Sequence, residues 1–121
     1  MQIDVQALGF ELTPALRKHT VRRLHFALGR SEAQVSRLSV RLSDLNGPRG
    51  GEDKRCQVRV TLTDAPEVVI EDTEADLYVA IDRAADRAGR TVARRLERSR
   101  DQRHGPRPSP AIDEASDAPS P

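Results

Sequence analysis

Ile3, Val5 and Ala7 alternate with Gln2, Asp4 and Gln6 at the start of the chain. This is the two-residue period of a strand that buries one face. The period then changes. Leu16, Thr20, Leu24, Ala27 and Leu28 recur at intervals of three and four, which places them on one side of a helix. Thr13-Pro14 supplies its start: a hydroxyl for the first free N–H groups, then proline where a missing N–H costs nothing. Gly29 is the expected stop. From Val35 the period returns to two, with Leu38, Val40 and Leu42 pointing one way and Arg37, Ser39, Arg41 and Ser43 the other. After Asn46-Gly47-Pro48-Arg49-Gly50-Gly51 the alternation resumes at Cys56, Val58, Val60 and Leu62, a third strand expected to return antiparallel to the second. Asp64-Ala65-Pro66 predicts a turn and Val68-Val69-Ile70 a short fourth strand. Asp76 is placed to cap a last helix whose stripe is Leu77, Ile81, Ala84, Ala85, Ala88 and Val92, with Leu96 at its edge.

The order β-α-β-β-β-α restricts the architecture. A strand-helix-strand opening with a right-handed crossover makes the first two strands parallel and puts the first helix on one sheet face. The stripe of the second helix needs burial too, and the same face offers it. The predicted fold class is α+β, a four-stranded sheet with two helices packed side by side on one face, laid out like a double-stranded-RNA-binding domain. The helical pattern fails past Arg100, and residues 101–121 hold five prolines among Ser, Asp and Ala. One domain over 1–100 followed by a disordered tail over 101–121 is expected, because the tail has too little apolar surface to offset its ordering entropy.

Composition adds constraints. With 2% aromatic and 32% charged residues, the core must be built from Leu, Val, Ile and Ala. Cys56 has no partner cysteine, and neither a charged-then-apolar leader nor an apolar run of about 18 residues is present, so a cytoplasmic protein with no membrane association is expected. His19, His25 and His104 have no zinc-site spacing to Cys56, and no metal or cofactor is expected. The net charge of +1 hides a segregation. Thr13 to Leu28 carries four bases and no acid; Arg83 to Arg100 carries seven arginines against Asp86 and Glu97; Asp64 to Asp82 carries seven acids and no base. Such asymmetry orients a protein toward a polyanion.

At about 100° per residue, Arg83, Arg87, Arg90, Arg94 and Arg98 fall within an arc of roughly 80° on the second helix. No acid is expected within that arc, since Asp82, Asp86 and Glu97 lie on its other flank, and arginine throughout favours bidentate phosphate recognition. Lys18, Arg22 and His25 share the exposed face of the first helix, with Arg23 at its border, and two adjacent helices would merge these bases into one patch. Phosphate contacts of this kind position a protein on folded RNA without reading its sequence. Phe10, Phe26 and Tyr78 are the only large aromatics and none lies in a strand, so single-strand base stacking is not expected. Tyr78, beside the apolar stripe, is expected in the core with its hydroxyl hydrogen-bonded. The loop from Asn46 to Arg55 lacks the G-x-x-x-x-G-K-[ST] pattern and a following helix, so it is read as a hairpin tip; its functional alternative is a basic finger of Arg49, Lys54 and Arg55. No nucleophile-base pair can be assembled and the acids near Glu71 face only other acids, so no catalytic residue is assigned and an enzyme is not expected.

Leu12-Thr13-Pro14-Ala15-Leu16-Arg17-Lys18-His19 resembles the opening of the first helix in the ribosome hibernation promoting factor and ribosome-associated inhibitor A family. Asp76-Leu77-Tyr78-Val79-Ala80-Ile81-Asp82 is similar to that family's D-[ML]-Y-x-A-I-[DN] start of the second helix. With the strands, the resemblance covers about residues 1–98 and corresponds to the short form. It implies binding to the small ribosomal subunit and its rRNA near the decoding channel, blocking tRNA and mRNA access and keeping idle ribosomes inactive. It also implies a monomer off the ribosome, with no small-molecule substrate. The family's basic positions fall on Arg87, Arg90 and Arg94 in the second helix and on Arg23 in the first. With Arg83 and Arg98 extending the ladder and Lys18 and Arg22 on the first helix, these form the expected RNA-binding set. Two departures stand out: the glycine-rich hairpin tip, and the small Ala84, Ala85, Ala88 and Gly89 where the family carries larger residues. Tighter packing or a different rRNA contact follows from them. The alternative function is a protein-interaction regulator of the transcription-factor-modulating type, using the acidic fourth-strand region.

Overall fold

The computed structural model describes residues 1–44 and 53–104. The chain runs β1 (Gln2–Leu8), α1 (Pro14–Leu28), a 3-10 turn (Gly29–Gln34), β2 (Val35–Asp44), β3 (Lys54–Leu62), β4 (Val68–Glu74) and α2 (Leu77–His104). The strands form one sheet in the order β1-β2-β3-β4. β1 and β2 are parallel, while β2 with β3 and β3 with β4 are antiparallel. Both helices pack on one face, α2 across β3 and β4 and α1 beside it. This is the α+β layout that the alternating and helical periods predict. The expected hairpin tip, up to residue 52, and the expected tail beyond His104 lie outside the described residues.

Each start signal works as local chemistry requires. Thr13 Oγ1 accepts from the N–H of Leu16 at 3.2 Å, and its carbonyl accepts from Arg17 at 3.0 Å. Asp76 Oδ1 accepts from the N–H of Tyr78 at 2.8 Å and the Asp76 carbonyl from Ala80 at 3.0 Å. Gly29 differs from expectation. Its φ of −57° keeps the right-handed helical conformation, so the chain tightens into the 3-10 turn rather than reversing through a left-handed glycine. Among the described residues the left-handed glycine is Gly9, at φ 89°, where the chain leaves β1. Val35 and Leu38 are both buried although three residues apart. A register shift between Val35 and Arg37 accommodates the extra residue, Ser36.

The core lies between the sheet and the helices. β2 contributes Leu38, Val40 and Leu42, β3 contributes Cys56, Val58, Val60 and Leu62, and α1 contributes Leu16, Leu24 and Leu28. Thr20 in the α1 stripe is buried, and its hydroxyl donates to the Leu16 carbonyl at 2.9 Å, so its polar group is satisfied. α2 presents mainly alanine: Ala80, Ala84, Ala85 and Ala88 are fully buried with Ile81 and Val92 between them. Small residues bring α2 close to its neighbours. A Cβ added at Gly89 would stand 2.6 Å from the carbonyl oxygen of Ala27 in α1 and 3.2 Å from its Cβ. α2 also runs to His104, four residues past the expected boundary. The anchors are polar: Arg95 donates to the Pro66 and Glu67 carbonyls at 3.2 and 3.1 Å, and Ser99 to the Asp64 carbonyl at 3.2 Å. They tie the helix to the β3–β4 turn on either side of Leu96, the last apolar contact among the described residues.

Cys56 faces Asp72 across the β3–β4 ladder. Burial first, and the Asp72 charge second, push its thiol up to about 12 from an ordinary value of 9.0. An acid raised on folding contributes stability that is complete below its unfolded value and lost as pH rises through the interval to the folded one. Stability should therefore decline above about pH 9. At pH 8 a disulfide reagent should leave Cys56 unlabelled until denaturant is added, and rapid native labelling would show that β3 and β4 separate.

The helix crossing gives a second expectation. Alanine is ordinarily better than glycine inside a helix by about 1 kcal/mol, yet Gly89→Ala drives a methyl into the backbone of α1. Overpacking of this kind costs about 1–3 kcal/mol, so the variant should melt several degrees lower. Gly29→Ala, where φ is negative and nothing lies within 4 Å of an added Cβ, should melt at or slightly above wild type. Equal midpoints for the two variants would mean that the helices separate at little cost.

Candidate nucleic-acid interface

Burial of Leu16, Thr20, Leu24 and Leu28 turns the opposite side of α1 to solvent. Lys18, Arg22 and Phe26, four residues apart, form one exposed line along it, with Arg17 and His25 alongside. α1 contains no acidic residue. Its outer surface is therefore positive along its whole length.

On α2 the buried alanines turn Arg83, Arg87, Arg90, Arg94 and Arg98 outward, and all five are exposed. The expectation of a ladder without acids requires correction. Arg90 Nη1 pairs with Asp86 Oδ2 at 2.7 Å, one turn earlier in the helix. Arg83 lies 3.6 Å from Glu74 and Arg87 3.7 Å from Asp72, both carboxylates of β4, and Arg87 also donates to the Glu71 carbonyl at 2.8 Å. β4, with three acids in seven residues, thus lies beneath two of the arginines. No ion pair among the described residues takes in Lys18, Arg22, Arg94 or Arg98. The paired members are not lost to a ligand: the side chains of Arg83 and Arg90 are 65% and 60% exposed, and surface pairs contribute only about 0–1 kcal/mol.

The bases of the two helices do not simply merge. Asp82 of α2 sits in the seam, 2.8 Å from His19 Nε2 and 3.3 Å from Arg23 Nε. Arg23 is half-buried and spends part of its charge there. Its guanidinium carbon also lies 5.6 Å from the centre of the Phe26 ring, within cation–π range. Tyr78 is not a core residue. It is 41% exposed and meets the His19 ring edge-on at 4.8 Å across the seam, so it braces the helix pair from outside. The result is two parallel lines of positive charge, Lys18–Arg22 and Arg90–Arg94–Arg98, separated by a neutralised seam.

Other candidates contribute little. Lys54, proposed for a basic finger, is held between Asp53 at 3.1 Å and Asp44 at 3.2 Å, and these partners, Asp53 foremost, raise its ammonium above the ordinary range. It clamps the base of the β2–β3 hairpin. Arg55 is half-buried and Arg49 lies outside the described residues. The face of the sheet away from the helices is polar, and Arg37 and Arg59 are paired there with Asp4 and Glu67. Among the described residues no three His, Cys, Asp or Glu are grouped to hold a metal, and no helix is long and apolar enough to cross a membrane. The residue that the sequence reading passed over is Phe26. Its signal was its place one turn beyond Arg22 on the line that begins at Lys18.

Comparison with known proteins bears on the family and the fold. Residues 3–100 match the family described as Sigma 54 modulation protein / S30EA ribosomal protein. Among solved structures, the N-terminal domain of Protein Y from Thermus thermophilus is 33% identical. It superposes with a TM-score of 0.66 over 78% of this chain and 98% of that one. A ribosomal subunit interface protein from Coxiella burnetii, 18% identical, superposes with a TM-score of 0.69 over 80% of this chain and 99% of that one, a likeness of fold. Comparison with curated proteins finds no match.

Proposed function

The chain belongs to the sigma 54 modulation protein / S30EA ribosomal protein family, and from that membership we propose that it is a ribosome-bound inhibitor of translation. In this reading it docks on the small ribosomal subunit near the decoding channel with both helices turned to the rRNA. There it occupies space that tRNA and mRNA need, and idle ribosomes stay inactive. The observation that carries the reading is the arginine ridge of α2, five exposed guanidinium groups along one face of a helix fixed to a rigid sheet. Arginine at this spacing suits a run of phosphates, because each guanidinium donates in a planar fork that fits two phosphate oxygens. An inhibitor that works by occupancy requires position and affinity, which phosphate contacts supply, and no base reading. It also requires no chemical step, which accords with a site built of arginine and lysine.

The protein-interaction alternative would use the acids of β4. Glu74 and Asp72 already face Arg83 and Arg87, and Glu71 accepts from Gln57 at 2.9 Å. That surface is largely compensated from within, whereas Arg94 and Arg98 are in no ion pair among the described residues, so polyanion binding is the better-supported function.

Arg94→Glu combined with Arg98→Glu tests the site without touching β4, whereas reversal at Arg87 would set a carboxylate against Asp72 and disturb the fold. Binding to purified small subunits should follow a log–log salt slope of about −3 to −5 for five or so phosphate contacts, and the double variant should lower its magnitude by about 1–2. Loss of two charge-assisted contacts, at about 1.5–3 kcal/mol each, predicts at least about a hundredfold weaker binding. Arg41→Glu, a charge reversal on the opposite face of the sheet, should bind like wild type, and Arg94→Glu alone, an equal charge change, should not. Equal affinity of wild type and the double variant, with both folded, would place the interface elsewhere.

A further inference from the structure

We propose that Phe26 is a nucleobase-stacking residue, its ring receiving an unpaired base of the RNA that the helical face binds. The inference rests on reading that face as RNA-binding. Phe26 is 80% exposed, the most exposed large hydrophobic residue among those described. It is not a core residue left stranded by imperfect packing. α1 buries its stripe at Leu16, Thr20, Leu24 and Leu28, and Phe26 stands on the far side of that helix, in line with Lys18 and Arg22 at successive intervals of four.

The surroundings indicate the chemistry of the occupant. Arg23 covers part of the ring at 5.6 Å and leaves the remainder to solvent. His25 and Arg22 are exposed nearby and no carboxylate is carried by α1. A flat apolar surface with Arg23, paired to Asp82, over part of it and Arg22, in no ion pair among the described residues, beside it fits a ligand that carries both a π face and negative charge, which describes a nucleotide. An apolar pocket on a protein would match the ring but leave the surrounding cations unused. Stacking is also tolerant of base identity, since every base offers a π face, and so suits a protein whose other contacts are to phosphate. The sheet lacks the aromatic platform that single-strand binders use, and the helix supplies one ring in its place. Arg23 then acts twice, tied to Asp82 at 3.3 Å and lying over the ring, so that the phenyl group is held before any base arrives.

The test uses the full chain with purified small ribosomal subunits. Phe26→Ala should melt with wild type, because the side chain is exposed, and should bind about 5- to 150-fold more weakly, the range expected for one base stacked on an aromatic ring. Its salt slope should equal that of wild type, since no phosphate contact is removed, in contrast to Arg94→Glu, which lowers the slope. Phe26→Tyr should restore affinity. The chain contains no tryptophan, so Phe26→Trp places a single indole at the position, and its fluorescence should be quenched on binding as the indole stacks on a base. Wild-type affinity in Phe26→Ala overturns the proposal and leaves the arginine ridge standing. So does a blue-shifted, brighter indole on the subunit, which would assign the ring to an apolar protein pocket. Failure of wild type itself to bind small subunits sinks the reading of the whole face, and this inference with it.

Discussion

The close crossing of α1 and α2 sets the geometry on which the remaining features depend. Gly89 has no side chain where the Ala27 carbonyl passes, and a methyl group there would come within 2.6 Å of that oxygen. Ala84, Ala85 and Ala88 continue the narrow profile of α2 toward the sheet. A core built almost without aromatic residues fills its volume by bringing backbones together, and packing at that density leaves no tolerance for added atoms. The crossing also places Asp82 within reach of His19 and Arg23. It thereby fixes how far apart the two lines of positive charge stand. The small residues of α2 thus set spacing as much as volume.

Charge is arranged around that crossing rather than spread evenly. β4 lies under α2 and its carboxylates meet the nearer arginines, while the farther ones, Arg94 and Arg98, project without an ion pair among the described residues. The ridge therefore grades from anchored guanidinium groups near the start of α2 to unanchored ones near its end. Weak surface pairs hold the anchored side chains extended and ordered, at little cost when a phosphate replaces the carboxylate. An arginine already held in place loses less rotamer freedom on binding than one that is not.

Much of this fold is legible in the sequence because its signals are local. Thr13-Pro14 and Asp76 cap their helices through atoms two or three residues away, and the alternation of β2 and β3 reports directly which side chains reach the core. The outward direction of seven of the eight basic positions, all but the half-buried Arg23, follows from the same arithmetic, since it needs only the buried stripe of each helix. What escaped depends on residues distant in the chain. Whether Arg83 and Arg87 stand alone is decided by Glu74 and Asp72, which a strand pairing brings beneath them. Tyr78 reads as a core residue from its place in the first turn of α2, yet His19, from the other helix, offers it a position at the surface. Gly29 carries the signature of a helix stop, but the choice between a left-handed reversal and a 3-10 turn belongs to the segment that follows. The exposure of Phe26 follows from its spacing of four from Lys18 and Arg22, but the guanidinium of Arg23 over its ring is seen only in the structure.

The contact of Arg87 with the Glu71 carbonyl, and those of Arg95 with Pro66 and Glu67, bear on the protein's behaviour in concentrated solution. β4 is the last strand of the sheet, and a bare edge strand offers its backbone as a template on which another chain can assemble. From α2, Arg87 reaches one carbonyl of β4, and Arg95 reaches two in the turn that leads into the strand. The same helix that carries the arginine ridge therefore also covers part of the sheet's outer strand. Neutralising its arginines for binding studies risks trading lost affinity for self-association.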